Sequence, residues 1–300
     1  PLADAAIPAD APLTPGLNRV FVSSTSGLGN FGGLVAADAR CQADAVAAGL
    51  AGTFIAWLST SSVNARDRFA DGSRGWVRVD GAPVIDTMQK FITNNQMFNP
   101  VLLDATGVPA RGVIWTGTGA DGRHAPGYSC NNWTSLPADA YIGNSGASMP
   151  DFVRDYTWPC YSMGAFFCFE IGRYSIVAPS PGPADARIAF ISKAKRTVPG
   201  IPSLDAICAA EAAAAQLPGS YLAAVPTTSA SVASRFVIDA RPWRRIDGTL
   251  VAGSELLTAT VQNEPHYASF VNQHADGTYT AEGVLGGAID PTSLGYEQST

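Results

Sequence analysis

Residues 20–23, Val-Phe-Val-Ser, are apolar and β-branched and predict a short strand near the start of the chain. From residue 34 the spacing changes. Leu34, Ala37, Cys41, Ala45 and Ala48 recur every three or four positions, which predicts a helix over residues 34–49 that ends at Gly49 and turns the Cys41 thiol inward. Residues 54–58 are a continuous apolar run and predict a buried strand. A second Ala-rich stretch over residues 204–216 predicts another helix, stopped by Pro218 and Gly219. Asp-Gly pairs at 80–81, 121–122, 247–248 and 276–277 mark tight turns between short strands. Helices and short strands mixed in this way imply an α+β fold.

The pattern occurs twice. At an offset of 167, residues 38–84 lie over residues 205–251 without a gap, matching Asp38 with Asp205, Cys41 with Cys208, Arg68 with Arg235, Phe69 with Phe236, Trp76 with Trp243 and Asp80 with Asp247. Upstream, residues 19–23 answer residues 187–192. Two tandem domains follow, residues 19–177 and residues 187–300, joined by the Pro/Ser/Gly/Ala linker 178–186. Residues 1–18 form an N-terminal arm whose Ala/Pro/Asp composition suits a tether or the stretch behind a removed export signal.

Composition narrows the partners. Asp+Glu 25 against Lys+Arg 19 gives a net charge of -6, which argues against binding nucleic acid through phosphate contacts. No apolar run reaches the roughly 18 residues of a membrane span. Four of the five cysteines, Cys41, Cys130, Cys160 and Cys168, fall in the first domain and are available for two bridges, whereas Cys208 stands alone in the second and reads as a buried free thiol, with an intermolecular bridge as the alternative. The three histidines, His124, His266 and His274, have no ligand spacing to a cysteine, so disulfides are expected rather than zinc, and with them a secreted, periplasmic or cell-surface location.

The run from Gly33 through Asp38, Cys41 and Gln42, followed by Gly52, Phe54, Trp57 and Ser59, resembles the endostatin domain of collagens, a C-type-lectin-like fold. The resemblance continues through Trp115, Gly117, Asp121, Tyr128, Cys130, Trp133, Cys160, Cys168 and Glu170, and it is shared by a bacterial family of secreted domains. It covers residues 19–173 well, and in the second copy residues 187–287. It implies nested bridges, Cys41 to Cys168 and Cys130 to Cys160. The second copy lacks counterparts of three of these cysteines, so the resemblance implies a shortened or truncated domain there.

The chemistry of catalysis is thinly represented. There is no Gly-x-Ser-x-Gly elbow, and His124, beside Asp121 and Arg123, reads as a solvated turn residue rather than a general base. Calcium-dependent sugar binding needs Glu-Pro-Asn or Gln-Pro-Asp and Trp-Asn-Asp; Glu264-Pro-His266 lacks the third oxygen ligand, and Asn131-Asn132-Trp133 has the wrong order. The zinc ligands and the arginine-rich heparin face of endostatin have no counterparts. No catalytic residue, metal or cofactor is expected. What remains is an aromatic surface between residues 115 and 161, in which Trp115 and Trp133 read as core and Asn144, Tyr156 and Trp158 as exposed ligand contacts. The sequence thus points to a non-enzymatic recognition or adhesion protein binding an extracellular glycan or protein. A structural subunit that assembles with copies of itself is the first rival, and a hydrolase the second.

Overall fold

The computed structural model describes residues 12–110, 112–195, 201–260, 268–284 and 288–295, with the side chain of Ile201 left aside. The architecture is α+β, and the chain divides into two compact units, Pro1–Ala178 and Pro179–Thr300.

In the first unit, β1 (Asn18–Val22) occupies the centre of a five-stranded sheet. Its neighbours are β3 (Arg74–Arg78), which runs parallel to it, and β8 (Phe167–Ile171), which runs antiparallel. Outside these lie β4 (Pro83–Thr87) and β2 (Thr53–Ala56), giving the order β2-β8-β1-β3-β4. Helix α1 (Leu34–Ala47) covers this sheet because Leu34, Ala37, Cys41 and Ala45, all buried, share one of its faces. It ends where Gly49 takes φ 72, a left-handed position that glycine adopts without strain. Helix α2 (Met88–Asn94) follows β4, its first turn capped by the Thr87 hydroxyl, which accepts from the Lys90 N–H at 3.2 Å. A second, three-stranded antiparallel sheet is formed by β5 (Val113–Trp115), β6 (Asp139–Asn144) and β7 (Thr157–Pro159).

Aromatic packing fills the space between these layers. Trp57 is ringed by Phe69, Phe91 and Phe169, and Phe69 and Phe169 both meet the edge of Trp76. Trp115 and Trp133 are fully buried, their indole N–H groups donating to the carbonyls of Gly27 and Ser59. Two disulfides tie the unit together. Cys41 on α1 bonds Cys168 on β8, and Cys130 bonds Cys160.

The second unit has β9 (Arg187–Ile188), α3 (Ile201–Ala214), β10 (Trp243–Arg244) and β11 (Leu250–Ala252), with sheet order β11-β10-β9. Its polar lattice repeats that of the first. Asp38 accepts from the Ala56 N–H and pairs with Arg68; Asp205 accepts from the Ala223 N–H and pairs with Arg235. Asp44 accepts from the N–H of Ser24, and Glu211 from that of Lys193. Arg78 grips Asp80, and Arg245 grips Asp247.

Three expectations change. The arm is no free tether over its described part, because the Thr14 N–H donates to Gly172 O and the Gly16 N–H to the Ser175 hydroxyl; residues 1–11 lie outside the described residues. Segment 178–186 is not a loose linker either, since the Gly182 N–H donates to Gly248 O at 2.6 Å and Ala186 is buried. Glycine and small residues let main chain meet main chain there, which a count of apolar side chains misses. Cys208 is free but only half-buried.

Candidate recognition surface

Strand register decides which aromatic groups of the second sheet share a face. Tyr141 pairs with Thr157 and Ala140 with Trp158, and directly opposed residues project to the same side. Ala140 and Ile142 are buried, so Trp158 belongs to the core side, where it packs against the main hydrophobic cluster with its indole nitrogen buried. Trp158 is therefore largely a packing residue rather than the exposed contact its sequence context suggests. Tyr156 meets its edge at 5.6 Å and remains 45% exposed.

Tyr141 projects the other way. The Tyr128 ring lies 4.7 Å from it, and the Arg154 guanidinium sits over it at 4.8 Å with Nη2 donating to the Tyr141 hydroxyl at 3.2 Å. Tyr128 and Arg154 are exposed. Cation–π contact and a hydrogen bond hold two flexible side chains in one arrangement, which lowers the entropy lost when a ligand binds. Arg154 makes no ion pair among the described residues, so its charge is open to an incoming anionic group. Neither Tyr128 nor Arg154 stands out in the sequence; the signal that could have found them is their spacing to Tyr141 across turns whose geometry only the fold supplies.

Asn144 is exposed at the end of β6, but its amide is engaged: Oδ1 accepts from the Gly146 N–H at 2.9 Å and Nδ2 donates to Asp155 at 3.4 Å. It braces a turn. Next to it, burial and the charge of Asp155 push the Asp151 carboxyl above the ordinary range.

A second polar group surrounds His124. It is half-buried rather than solvated, its main-chain N–H donating to Asn64 Oδ1 at 2.9 Å and its Nε2 lying 3.1 Å from the Ser129 hydroxyl. Burial holds the imidazole below its usual value, in the neutral form. Ser129 is itself only 4% exposed, and no carboxylate among the described residues orients the ring. The imidazole and the buried hydroxyl thus serve as each other's side-chain partner. The chain then passes through Cys130, Asn131, Asn132 and Trp133, all with φ between 49° and 65°, a left-handed turn fixed by the Cys130 disulfide and by Asn132, which exchanges hydrogen bonds with Ser61.

Among the described residues no three His, Cys, Asp or Glu side chains converge as a metal site, and no helix is long and apolar enough to cross a membrane. Glu264 and His266 lie outside the described residues.

A family described as "Protein of unknown function (DUF1554)" matches residues 24–150. No curated protein matches the chain. The matched span holds α1, β2 to β6 and the left-handed turn, together with Tyr128 and Tyr141, and stops before Arg154, Tyr156 and both partner cysteines, Cys160 and Cys168. It covers fewer than half of the 300 residues.

Proposed function

We propose that the chain is an exported, non-enzymatic recognition or adhesion protein of the cell surface or extracellular space, with a first unit that is endostatin-like and C-type-lectin-like and a second unit that repeats its opening elements. The observation that carries this reading is the Tyr128–Tyr141–Arg154 stack, a preordered aromatic and cationic surface on the outer side of a small sheet. Two disulfides in one unit favour an oxidising compartment. With the Arg154 guanidinium over its ring and the Tyr128 ring tilted against it, Tyr141 offers less open ring for a sugar to lie on. The surface suits an extracellular protein that presents an acidic side chain to Arg154 and apolar area to the tyrosines.

The test is to probe a printed array of extracellular-matrix proteins and glycans with the full chain and with Arg154→Ala and Tyr141→Ala. Signal on protein spots that falls at least about tenfold in both variants, and weakens with salt, supports the reading. Absence of signal above a heat-denatured control, or equal signal from the variants, overturns it; signal confined to glycan spots refutes the protein ligand.

A further inference from the structure

In the first unit the chain of β2 turns alternate main-chain groups to opposite sides. The Trp57 N–H, just past the strand, donates to Phe167 O on β8. On the other side α1 supplies the partners. Asp38 Oδ1 accepts from the Ala56 N–H at 2.9 Å. The Gln42 carboxamide closes a pair, its Oε1 accepting from the Phe54 N–H at 3.0 Å and its Nε2 donating to Gly52 O at 3.2 Å. Asp38 and Gln42 lie four positions apart on α1, so a single face of the helix satisfies all three groups.

The second unit keeps this frame and loses the carboxamide. Asp205 Oδ1 accepts from the Ala223 N–H at 2.8 Å, as Asp38 does from Ala56. The Leu217 N–H donates to Ala212 O at 2.9 Å and the Leu50 N–H to Ala45 O at 2.9 Å, so the chain leaves both helices in the same way. Phe190 and Tyr221 stand 5.4 Å apart, and their counterparts Phe21 and Phe54 stand 5.3 Å apart. At the offset of 167, however, Ala209 stands in place of Gln42 and Ala213 in place of Val46. Among the described residues the Tyr221 N–H then has no acceptor and Gly219 O no donor.

The two smaller side chains leave a cleft at this place. It holds about 240 Å³ between Ala209, Ala212 and Ala213 of α3 on one side and Leu217, Gly219 and Tyr221 on the other. Sites for drug-sized ligands run to roughly 300–1,000 Å³, so this one suits a group of amino-acid size. The Tyr221 hydroxyl donates to Pro218 O at 3.1 Å, which fixes the ring as a wall. Every residue that lines the cleft falls within 209–221, on the helix side of the segment that answers β2.

From the main-chain pair that Gln42 satisfies in one unit and no side chain satisfies in the other, we infer that this cleft binds a primary carboxamide on a short aliphatic stem, the end group of glutamine. The ligand oxygen accepts from the Tyr221 N–H and its NH2 group donates to Gly219 O. The stem lies along Ala209 and Ala213, in the space that the longer side chains of Gln42 and Val46 take in the first unit. Other groups of similar size fail on their chemistry. A carboxylate sets a second acceptor against Gly219 O, and an ammonium has no acceptor for the Tyr221 N–H. A trans secondary amide, whether a peptide main chain or the N-acetyl group of a sugar, points its N–H and C=O in opposite directions and makes only one of the two bonds. Glutamine reaches the cleft either free or as a residue of a peptide, with the same end group in both.

The experiment follows the Tyr221 amide signal of the isotope-labelled full chain by heteronuclear NMR during titration with propanamide. Two hydrogen bonds and one small apolar contact support a dissociation constant on the order of 10 mM. The Tyr221 amide proton should move downfield and saturate. Propionate should bind at least about tenfold more weakly and N-methylpropanamide at least about threefold, since each loses the bond to Gly219 O. Ala209 is exposed, so Ala209→Gln should fold normally, cap both groups with its own carboxamide, abolish the response and slow exchange of the Tyr221 N–H with solvent. N-acetylglutamine methylamide against free glutamine separates the two sources, the tighter binder naming the form in which the group arrives. No saturable shift with propanamide, no binding of either glutamine form, an equal response to propionate, or an unchanged response in Ala209→Gln overturns the proposal.

Discussion

Arg68, 1% exposed, reaches Asp38 Oδ2 at 2.5 Å and the Ala56 carbonyl at 2.6 Å, so that a single guanidinium ties α1 to β2. The arrangement recurs at Arg235 and Asp205. A buried charge that loses its partner is worth far more than a surface pair, on the order of 3 kcal/mol. Asp38→Asn keeps an oxygen for the Ala56 N–H but leaves Arg68 uncompensated. It should lower the unfolding free energy measured in urea by that amount, whereas removal of the exposed pair Arg123–Asp121 should change stability by less than about 1 kcal/mol.

The two disulfides close loops of unequal length, with sequence separations of 127 and 30. On the chain-entropy account the longer closure contributes about 5 kcal/mol and the shorter about 4 kcal/mol. Cys41→Ala with Cys168→Ala should therefore destabilise the first unit more than Cys130→Ala with Cys160→Ala. The order of midpoints in urea, each double variant against wild type, checks it; the reverse order would mean that local packing around Cys130 outweighs loop length.

Much of the local structure was legible in the sequence, for reasons that are themselves local. The spacing of Leu34, Ala37, Cys41 and Ala45 specifies a helix whatever surrounds it, and the Asp80-Gly81 turn needs only Asp80, which accepts from the Ala82 N–H, and a glycine at φ 86. The repeat was legible because Asp38, Arg68 and Trp76 and their counterparts keep their spacing. Register was not. Nothing in residues 156–158 says that Trp158 faces Ala140, and that pairing alone moves it from surface to core. Residues 187–192 answer the first strand in sequence, yet only Arg187–Ile188 forms ladder, since pairing depends on a neighbour as well as on local pattern. His124 read as solvated because the group that covers it, Asn64, is 60 residues away.

Asp86 gives the first unit a specific sensitivity to acid. Burial alone would raise its carboxyl, but the bidentate Arg74 contact, the Val177 N–H and Lys90 outweigh burial and hold it below the ordinary carboxylate range. A depressed folded value means that the unfolded chain takes up this proton first. The stabilisation is complete above the unfolded value of about 3.9 and is lost as pH falls through the folded value. Stability measured in urea between pH 2 and 6 should fall less steeply in Asp86→Asn than in wild type, though the variant starts lower because Arg74 loses its ionic partner. Parallel curves would show that Asp86 titrates normally.

The left-handed turn at residues 130–133 stores backbone strain that a single exposed position can report. Asn131 has φ 51 and ψ 58, and its side chain is exposed, so a change there alters main-chain preference with little loss of contact. For an ordinary L-residue this region costs roughly 1–2 kcal/mol, most of all for a β-branched one, while glycine enters it freely. Asn131→Val should lower stability by about 1–2 kcal/mol, and Asn131→Gly should leave it within about 0.5 kcal/mol of wild type, its easier left-handed geometry offset by a more flexible unfolded chain. Asn132 serves as the contrast. Its amide accepts from the Ser61 N–H and donates to the Ser61 hydroxyl, so Asn132→Gly should destabilise through lost hydrogen bonds even though its φ of 58 suits glycine. If Asn131→Val unfolds at the wild-type urea concentration, the turn does not hold its left-handed form in solution.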